Sequence, residues 1–326
     1  MVITQTPFRM SFFGGGTDFP EFFNEYGGSV ISSTFDKYCY VTVRRLPPFF
    51  DFASEIVYSK IERVTSLDSI IHPAVREAMK WFSLNGLRIT YDADLPARTG
   101  LGTSSSFAVG LLEAFHVLKG DVVDKQELAN EAIHLERNLC KESGGVQDQI
   151  AAAFGGLNRI YFSYDGFNVC PIRINKERKK ELNRNLMLFF TGFSRFSSDI
   201  QVAHEKAIKN KTAQLIEMNK LVDEAEKILI GDSELIEFGK LLDCTWKLKR
   251  GITERISSDS IDYLYASAIK AGAVGGKLLG AGGGGFLLFY VEQDKQQQVR
   301  DALKSLMEVP FRFENSGTKV LFNRAE

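Results

Sequence analysis

At 326 residues the chain is long enough that one hydrophobic core would usually split, so two domains are expected. Hydrophobic residues make up 44% and charged residues 25%, the mix of an ordinary globular protein, and a formal net charge of −1 argues against a general binder of nucleic acid or anionic membrane. No apolar run reaches bilayer-spanning length, "MVITQTPFRM" lacks the pattern of a secretory signal, and Cys39, Cys140, Cys170 and Cys244 show no metal-type pairing, so a cytoplasmic protein with reduced thiols is expected.

In chain order, the first feature is "SFFGGGTDFPEF" (11–22), where three glycines end an apolar strand that carries Arg9 and hand over to Thr17 and Asp18. Two readings fit: a tight turn closed by an Asp cap, or a small polar ligand gripped by Asp18 with Arg9 supplying positive charge. Residues 29–46 are β-branched and aromatic and read as a strand, as do 87–95. The loop "LPARTGLGTSSSFAVG" (95–110) follows, and then Phe107, Leu111, Ala114, Phe115 and Leu118 recur at helical spacing, so 104–118 is a helix. A cap needs one hydroxyl. Four in a row at 103–106 after Gly100 and Gly102 favour an anion cradle: bare N–H groups, the positive end of a helix dipole, and a hydroxyl able to ligate magnesium. The Gly-Lys-Ser/Thr ending of a Walker loop is absent.

A second helix is expected over 125–140, with Glu136 on the stripe of Ala129, Ile133 and Cys140. A semi-buried carboxylate there needs a partner, either an arginine or a magnesium ion. Asp148 falls in the first turn of a third helix, 145–154, either complementing the helix dipole or acting as an acid–base group in a cleft. His116 and His134 sit in helical patterns and read as structural. Two strands, "LNRIYFS" and "FNVCPIRI", close this half, and the charged run "NKERKKELNRN" marks a break between about 165 and 185.

The second half reads as a buried strand, "NLMLFFTG", then helices from Asp199 to about Leu229, from Ser233 to Lys249 and over 259–271. Two apolar strands flank the bend "GGKLLGAGGGGF", and a last helix near 294–306 and two short strands finish the chain. An apolar strand, not a helix, follows the glycines, which argues against a Rossmann unit and a nicotinamide-linked oxidoreductase. Strands and helices alternate without a doubly wound rhythm, so the fold class is α+β.

Together, "PARTGLGTSS" resembles the central phosphate-loop motif of the GHMP kinases, "KLLGAGGGGF" their C-terminal glycine motif and "TPFRMSFFGGGTD" their N-terminal motif. The three stand in family order, with Glu136 and Asp148 interposed, and the resemblance covers nearly the whole chain. It implies an N-terminal α+β domain (1–170) with the ATP phosphate loop, a C-terminal ferredoxin-like domain (171–326), and an active site in the cleft between. Pro96, Gly100, Leu101, Gly102, Thr103, Ser104 and Ser105 would hold ATP, and Ser104 and Glu136 would ligate magnesium. Asp148 would be the base or orienter of the acceptor hydroxyl, with Arg9 as its basic neighbour. Gly16, Thr17, Asp18, Gly280 and Gly282 would line the substrate.

Where galactokinases carry Glu-His before the Thr-Asp, this chain has Gly15 and Gly16, implying a differently contacted sugar site. "FGGGTD", "STFDKYCYVTV" and "GLGTSSSFAVGLL" most resemble the bacterial heptose 7-phosphate kinase branch. That implies phosphorylation of the anomeric hydroxyl of D-glycero-D-manno-heptose 7-phosphate on the way to nucleotide-activated heptose. L-fucokinase has a similar start, and a non-catalytic sugar sensor on the same fold is a further alternative, opposed by the retention of Arg9, Glu136 and Asp148. The partner implied is a small sugar phosphate, not nucleic acid or membrane. Its phosphate would need a second anion site: Arg195, flanked by Ser194, Ser197 and Ser198, is the first candidate, and Lys141, Arg44 and Arg45 are others.

Overall fold

The computed structural model describes residues 1–97, 99–192, 211–252, 256–280 and 282–324. Its spine is one long strand, Gly28–Arg45, whose length lets several partners bond to it. Val2–Phe13 runs antiparallel beside it, while Leu87–Ala93 takes one end and Leu157–Ser163 the other. Cys39, Val41 and Val43 are buried between half-buried Tyr38, Tyr40 and Thr42, the two-residue alternation of a sheet with one covered face. On that face lies the helix Thr103–Lys119, and Phe107, Leu111, Leu112 and Phe115 join Val41, Val43 and Ile89 in one core. Gly110 permits the close fit: a Cβ there would lie 2.7 Å from Thr6 Oγ1.

Val2–Phe13 alternates for four residues and is then buried on both faces from Thr6 to Phe13. The cause is the second half of the chain, which covers the strand's other side. Phe8, Phe12, Phe13, Ile31 and Phe35 share a cluster with Leu188, Val222, Phe238 and Phe286, and Phe238 stands edge-on to Phe12 and Phe13 at 5.6 and 5.0 Å.

That second half is an antiparallel sheet of Met307–Glu308, Leu186–Gly192, Gly285–Tyr290 and Gly275–Leu278, in that order, packed with the helices Ile236–Arg250 and Asp259–Lys270. The architecture is α+β, as the sequence implies. At the chain end Phe313–Glu314 and Lys319–Asn323 return to the first sheet, pairing with Gly28–Arg45 and Val2–Phe13.

Three stretches differ from expectation. The single helix expected over 125–140 is α-helical from Lys125 to Ile133 and then widens to a π-turn over His134–Leu139, with Cys140 N bonding Leu135 O at 2.9 Å. The charged run at the expected break is itself a helix, Lys176–Asn185, capped by Asn175 and burying only Leu182 and Asn185. The long helix expected from Asp199 is present as Thr212–Ile230, and its first part lies outside the described residues.

Candidate active site

The site gathers where the loop before Thr103–Lys119 meets the glycine bend of the second half. Gly100 and Gly102 have φ of +82° and +73°, conformations that strain any residue with a Cβ. Space is as decisive: a Cβ on Gly100 would lie 2.4 Å from Leu279 O, and one on Gly280 would lie 2.2 Å from Gly100 Cα. Gly285 meets Thr99 O in the same way at 2.3 Å. The C-terminal glycines therefore pack backbone on backbone against the loop. Gly282 faces Ile256 instead, at 2.7 Å.

The first bond inside the helix is Ser106 N to Gly102 O, so the N–H groups of residues 103–105 precede the ladder and point out of the helix start. The four hydroxyls divide. Ser104 is exposed, whereas Ser105 donates to Glu136 Oε2 at 2.7 Å and Ser106 donates to Pro7 O. Leu101 is core: its side chain is fully buried and its carbonyl accepts from Arg9 N. Pro96 is half-buried and its carbonyl accepts from Thr99 Oγ1.

Glu136 is 4% exposed, set inward by the π-turn, and accepts from Ser105 and from Gln149 Nε2. Burial pushes its carboxyl up to about 7, opposed by the hydrogen bonds from Ser105, Gln149 and Ser104.

Arg9 forms a fork onto Asp148, Nε to Oδ1 at 2.7 Å and NH2 to Oδ2 at 2.8 Å, and its NH1 donates to Gly100 O at 2.8 Å. One guanidinium thus joins the Gly100 loop to the carboxylate. The Arg9 side chain is 5% exposed and that of Asp148 is 25% exposed, so the carboxylate is the part open to a ligand.

Asp18 is buried beside this pair and accepts from Gly16 N at 2.9 Å and Gln147 Nε2 at 2.9 Å. Burial, and then the nearby Asp148 carboxylate, raise its pKa, against the bonds from Gly16 and Gln147. Gly145 makes room for it, since a Cβ there would lie 1.8 Å from Asp18 Oδ2. The Ser11 hydroxyl and Gln147 Oε1 are buried with no hydrogen-bond partner among the described residues, and both residues border Gly15. Unspent polar atoms in a buried place are what a hydroxylated ligand would satisfy.

Thr17 does not join them. Its one hydroxyl proton is shared between Gly14 O and Ser29 O, its oxygen accepts from Ser29 N, and the residue is fully buried, so the side chain closes the turn. Arg195 and its serines lie outside the described residues. Arg44 and Arg45 are at the wrong end of the sheet: Arg9 pairs with Thr34, and ten further residues at a rise of about 3.3 Å put Arg44 about 30 Å along the strand. Lys141 is exposed, two residues past the π-turn.

Sequence reasoning missed four residues here. Gln147 and Gln149 flank Asp148 in "VQDQ", where a polar residue on each side of a carboxylate was the available signal. Lys277 opens the quoted glycine motif, is 1% exposed and donates to Phe12 O at 2.8 Å. Lys249 is 5% exposed and donates to Gly280 O, and its position among Lys247 and Arg250 gave no hint of burial.

Comparison with known proteins matches the GHMP kinases N terminal domain to residues 69–156 and the GHMP kinases C terminal domain to residues 229–309. A D-glycero-alpha-D-manno-heptose 7-phosphate kinase of Campylobacter jejuni is 32% identical over 92% of each chain. An L-fucokinase/L-fucose-1-P guanylyltransferase of Bacteroides fragilis is 25% identical over 91% of this chain and 35% of its own. Among solved structures, a D-glycero-D-manno-heptose 1-phosphate kinase of Bacteroides thetaiotaomicron superposes with a TM-score of 0.82 at 25% identity, covering 99% of this chain and 100% of that one.

Proposed function

The chain belongs to the GHMP kinase family, phosphotransferases with an alcohol acceptor, and from that premise we propose that it transfers the γ-phosphoryl group of ATP to the anomeric hydroxyl of a heptose 7-phosphate. The observation that carries the proposal is the Arg9 fork onto Asp148 with its third bond to Gly100 O. It puts a half-open carboxylate directly beside a helix start suited to phosphate, with Asp18 and the unspent Ser11 and Gln147 atoms on the acceptor side.

Transfers of this kind depend on positioning and charge neutralisation. The backbone N–H groups at 102–105 would seat the ATP phosphates. Each oxygen of Asp148 keeps a lone pair beyond its bond to Arg9, so the carboxylate can orient the acceptor hydroxyl and take its proton. The anomeric hydroxyl is more acidic than an ordinary alcohol, which eases that step.

Magnesium fits the donor set. Glu136 is a buried carboxylate with no ion-pair partner among the described residues, raised by burial in the way a nearby cation would reverse. One buried carboxylate with the exposed Ser104 hydroxyl nearby matches a hard cation that needs only one or two protein oxygens. Glu136 and Ser104 would hold it, and it would neutralise phosphate charge.

The names of the relatives favour heptose phosphate as the acceptor, and the fucokinase similarity names the competitor. The test is ATP consumption against heptose 7-phosphate, L-fucose, galactose and mannose side by side, with the phosphorylated position read by phosphorus NMR. Preferential turnover of heptose 7-phosphate to a 1,7-bisphosphate is expected. Faster turnover of fucose would replace the acceptor, and no ATP turnover with any sugar would leave a sensor.

A further inference from the structure

Three cationic side chains and two carboxylates meet beneath the seam of Gly100 and Gly280. Arg9, Lys249 and Lys277 are 4%, 5% and 1% exposed, and the carboxylates are Asp18 and Asp148. Arg9 commits three of its five N–H donors to Asp148 and Gly100 O. Lys249 reaches the seam from the other side, donating to Gly280 O, so Arg9 and Lys249 each grip the carbonyl of one of the two abutting glycines. An ammonium group has three donors. Among the described residues that of Lys249 has one acceptor, and it is buried at the bottom of helix Ile236–Arg250, facing the site and not solvent. Of the two carboxylates, Asp148 is taken up by the Arg9 fork and Asp18 by Gly16 and Gln147, so among the described residues neither bonds Lys249, and a buried cation without a bonded anion is costly. A carbonyl strut alone does not call for a charge.

We propose that Lys249 is a further catalytic residue, whose ammonium group donates to a non-bridging oxygen of the phosphoryl group in transit, opposite Arg9 and Asp148. The inference rests on the kinase reading above. In the step it serves, the bond from γ-phosphorus to the β,γ-bridging oxygen breaks and the leaving nucleoside diphosphate keeps its electron pair. The bond from phosphorus to the acceptor oxygen forms, and the acceptor proton leaves toward Asp148. Lys249 retains its protons throughout and supplies charge and hydrogen bonds where negative charge spreads over the transferred group.

The protonation state agrees. Burial, and then the Arg9 guanidinium, bring Lys249 down to about 8, while Asp18 and Asp148 pull the other way. Lys277, on the adjacent strand, is driven well below its ordinary value by burial and by Lys249 and Arg9. On its own helix, Lys247 and Arg250 point away and pair with Asp243 and Asp262. Since the charged form is the one required, kcat/KM should fall as pH rises through about 8, and arrival of the anion should hold the proton on.

The test is Lys249→Gln, which keeps an N–H for Gly280 O and removes the charge. The expected result is a kcat loss of about 10²–10³-fold, the usual effect of deleting a donor to a developing oxyanion. The nucleotide dissociation constant should be unchanged, and the alkaline limb should vanish from kcat/KM. A second measurement uses the unaltered enzyme. By calorimetry in two buffers at pH 8.5, formation of the ADP–aluminium fluoride–heptose 7-phosphate complex should take up a proton that ADP alone does not. Wild-type turnover in the Gln variant, a defect confined to the KM of the sugar phosphate, or no proton uptake would overturn the assignment. Failure of the unaltered enzyme to bind ADP would instead sink the kinase reading itself.

Discussion

At the scale of single residues, the site is organised by what each polar atom has left to give. Thr17 has spent its hydroxyl on the turn, and Ser106 has spent its own on Pro7. Ser104 and Asp148 retain capacity, and Glu136 is held in place by hydrogen bonds from Ser105 and Gln149. Gln149 is the clearest of these, because it reaches Glu136 from the helix that carries Asp148. Gln149→Leu is therefore expected to lower magnesium affinity by about 10–100-fold, as loss of an outer partner does elsewhere. The check is the magnesium dependence of ATP turnover, and an unchanged half-saturating concentration would remove Gln149 from that role. Arg9, Glu136, Asp18 and Asp148 were legible in the sequence because charged or capping residues stood next to glycine turns and apolar stripes. Lys249 was not, since a lysine in an amphipathic helix looks the same whether its end reaches water or, as here, a glycine bend 31 positions further along the chain.

At the scale of elements, local pattern was a good guide where one element buries one face. The helix from Thr103 and the strand from Gly28 fell within a residue of their expected bounds. It failed where tertiary packing set the geometry. The π-turn at His134–Leu139 leaves no mark in a 3.6-residue stripe, and Lys176–Asn185 is helical with almost no apolar face to announce it. The glycine seam allows a controlled experiment. Gly100 and Gly120 share a φ of +82°, but a Cβ at Gly120 meets nothing within 4 Å, whereas one at Gly100 meets Leu279 O at 2.4 Å. Gly120→Ala is expected to cost only the left-handed conformation, about 1–2 kcal/mol. Gly100→Ala should cost more in denaturant unfolding and should also weaken nucleotide binding, which Gly120→Ala should leave intact. Equal effects from the two variants would mean that the close backbone contact carries no weight.

At the scale of the whole molecule, the halves are not separable bodies joined by a linker. The first strand is buried on one side by its own helix and on the other by Phe238, Val222 and Phe286, and the chain's last strand pairs with its first. A fragment of residues 1–170 would expose Phe8, Phe12, Phe13 and Phe35 and lack two sheet partners, so it is expected to aggregate, and the intact chain to unfold in one calorimetric transition. A soluble, cooperatively folded fragment would contradict this. The same interlock brings the Gly100 loop, the Arg9–Asp148 fork and the Gly280 bend together, where phosphoryl transfer is proposed to take place. Asp148→Asn tests it most directly, by turnover with heptose 7-phosphate measured beside nucleotide affinity on the same preparation. Turnover is expected to fall by about 10²–10⁴-fold while nucleotide affinity holds; turnover close to that of the unaltered enzyme would remove Asp148 from the transfer and the reaction from this site.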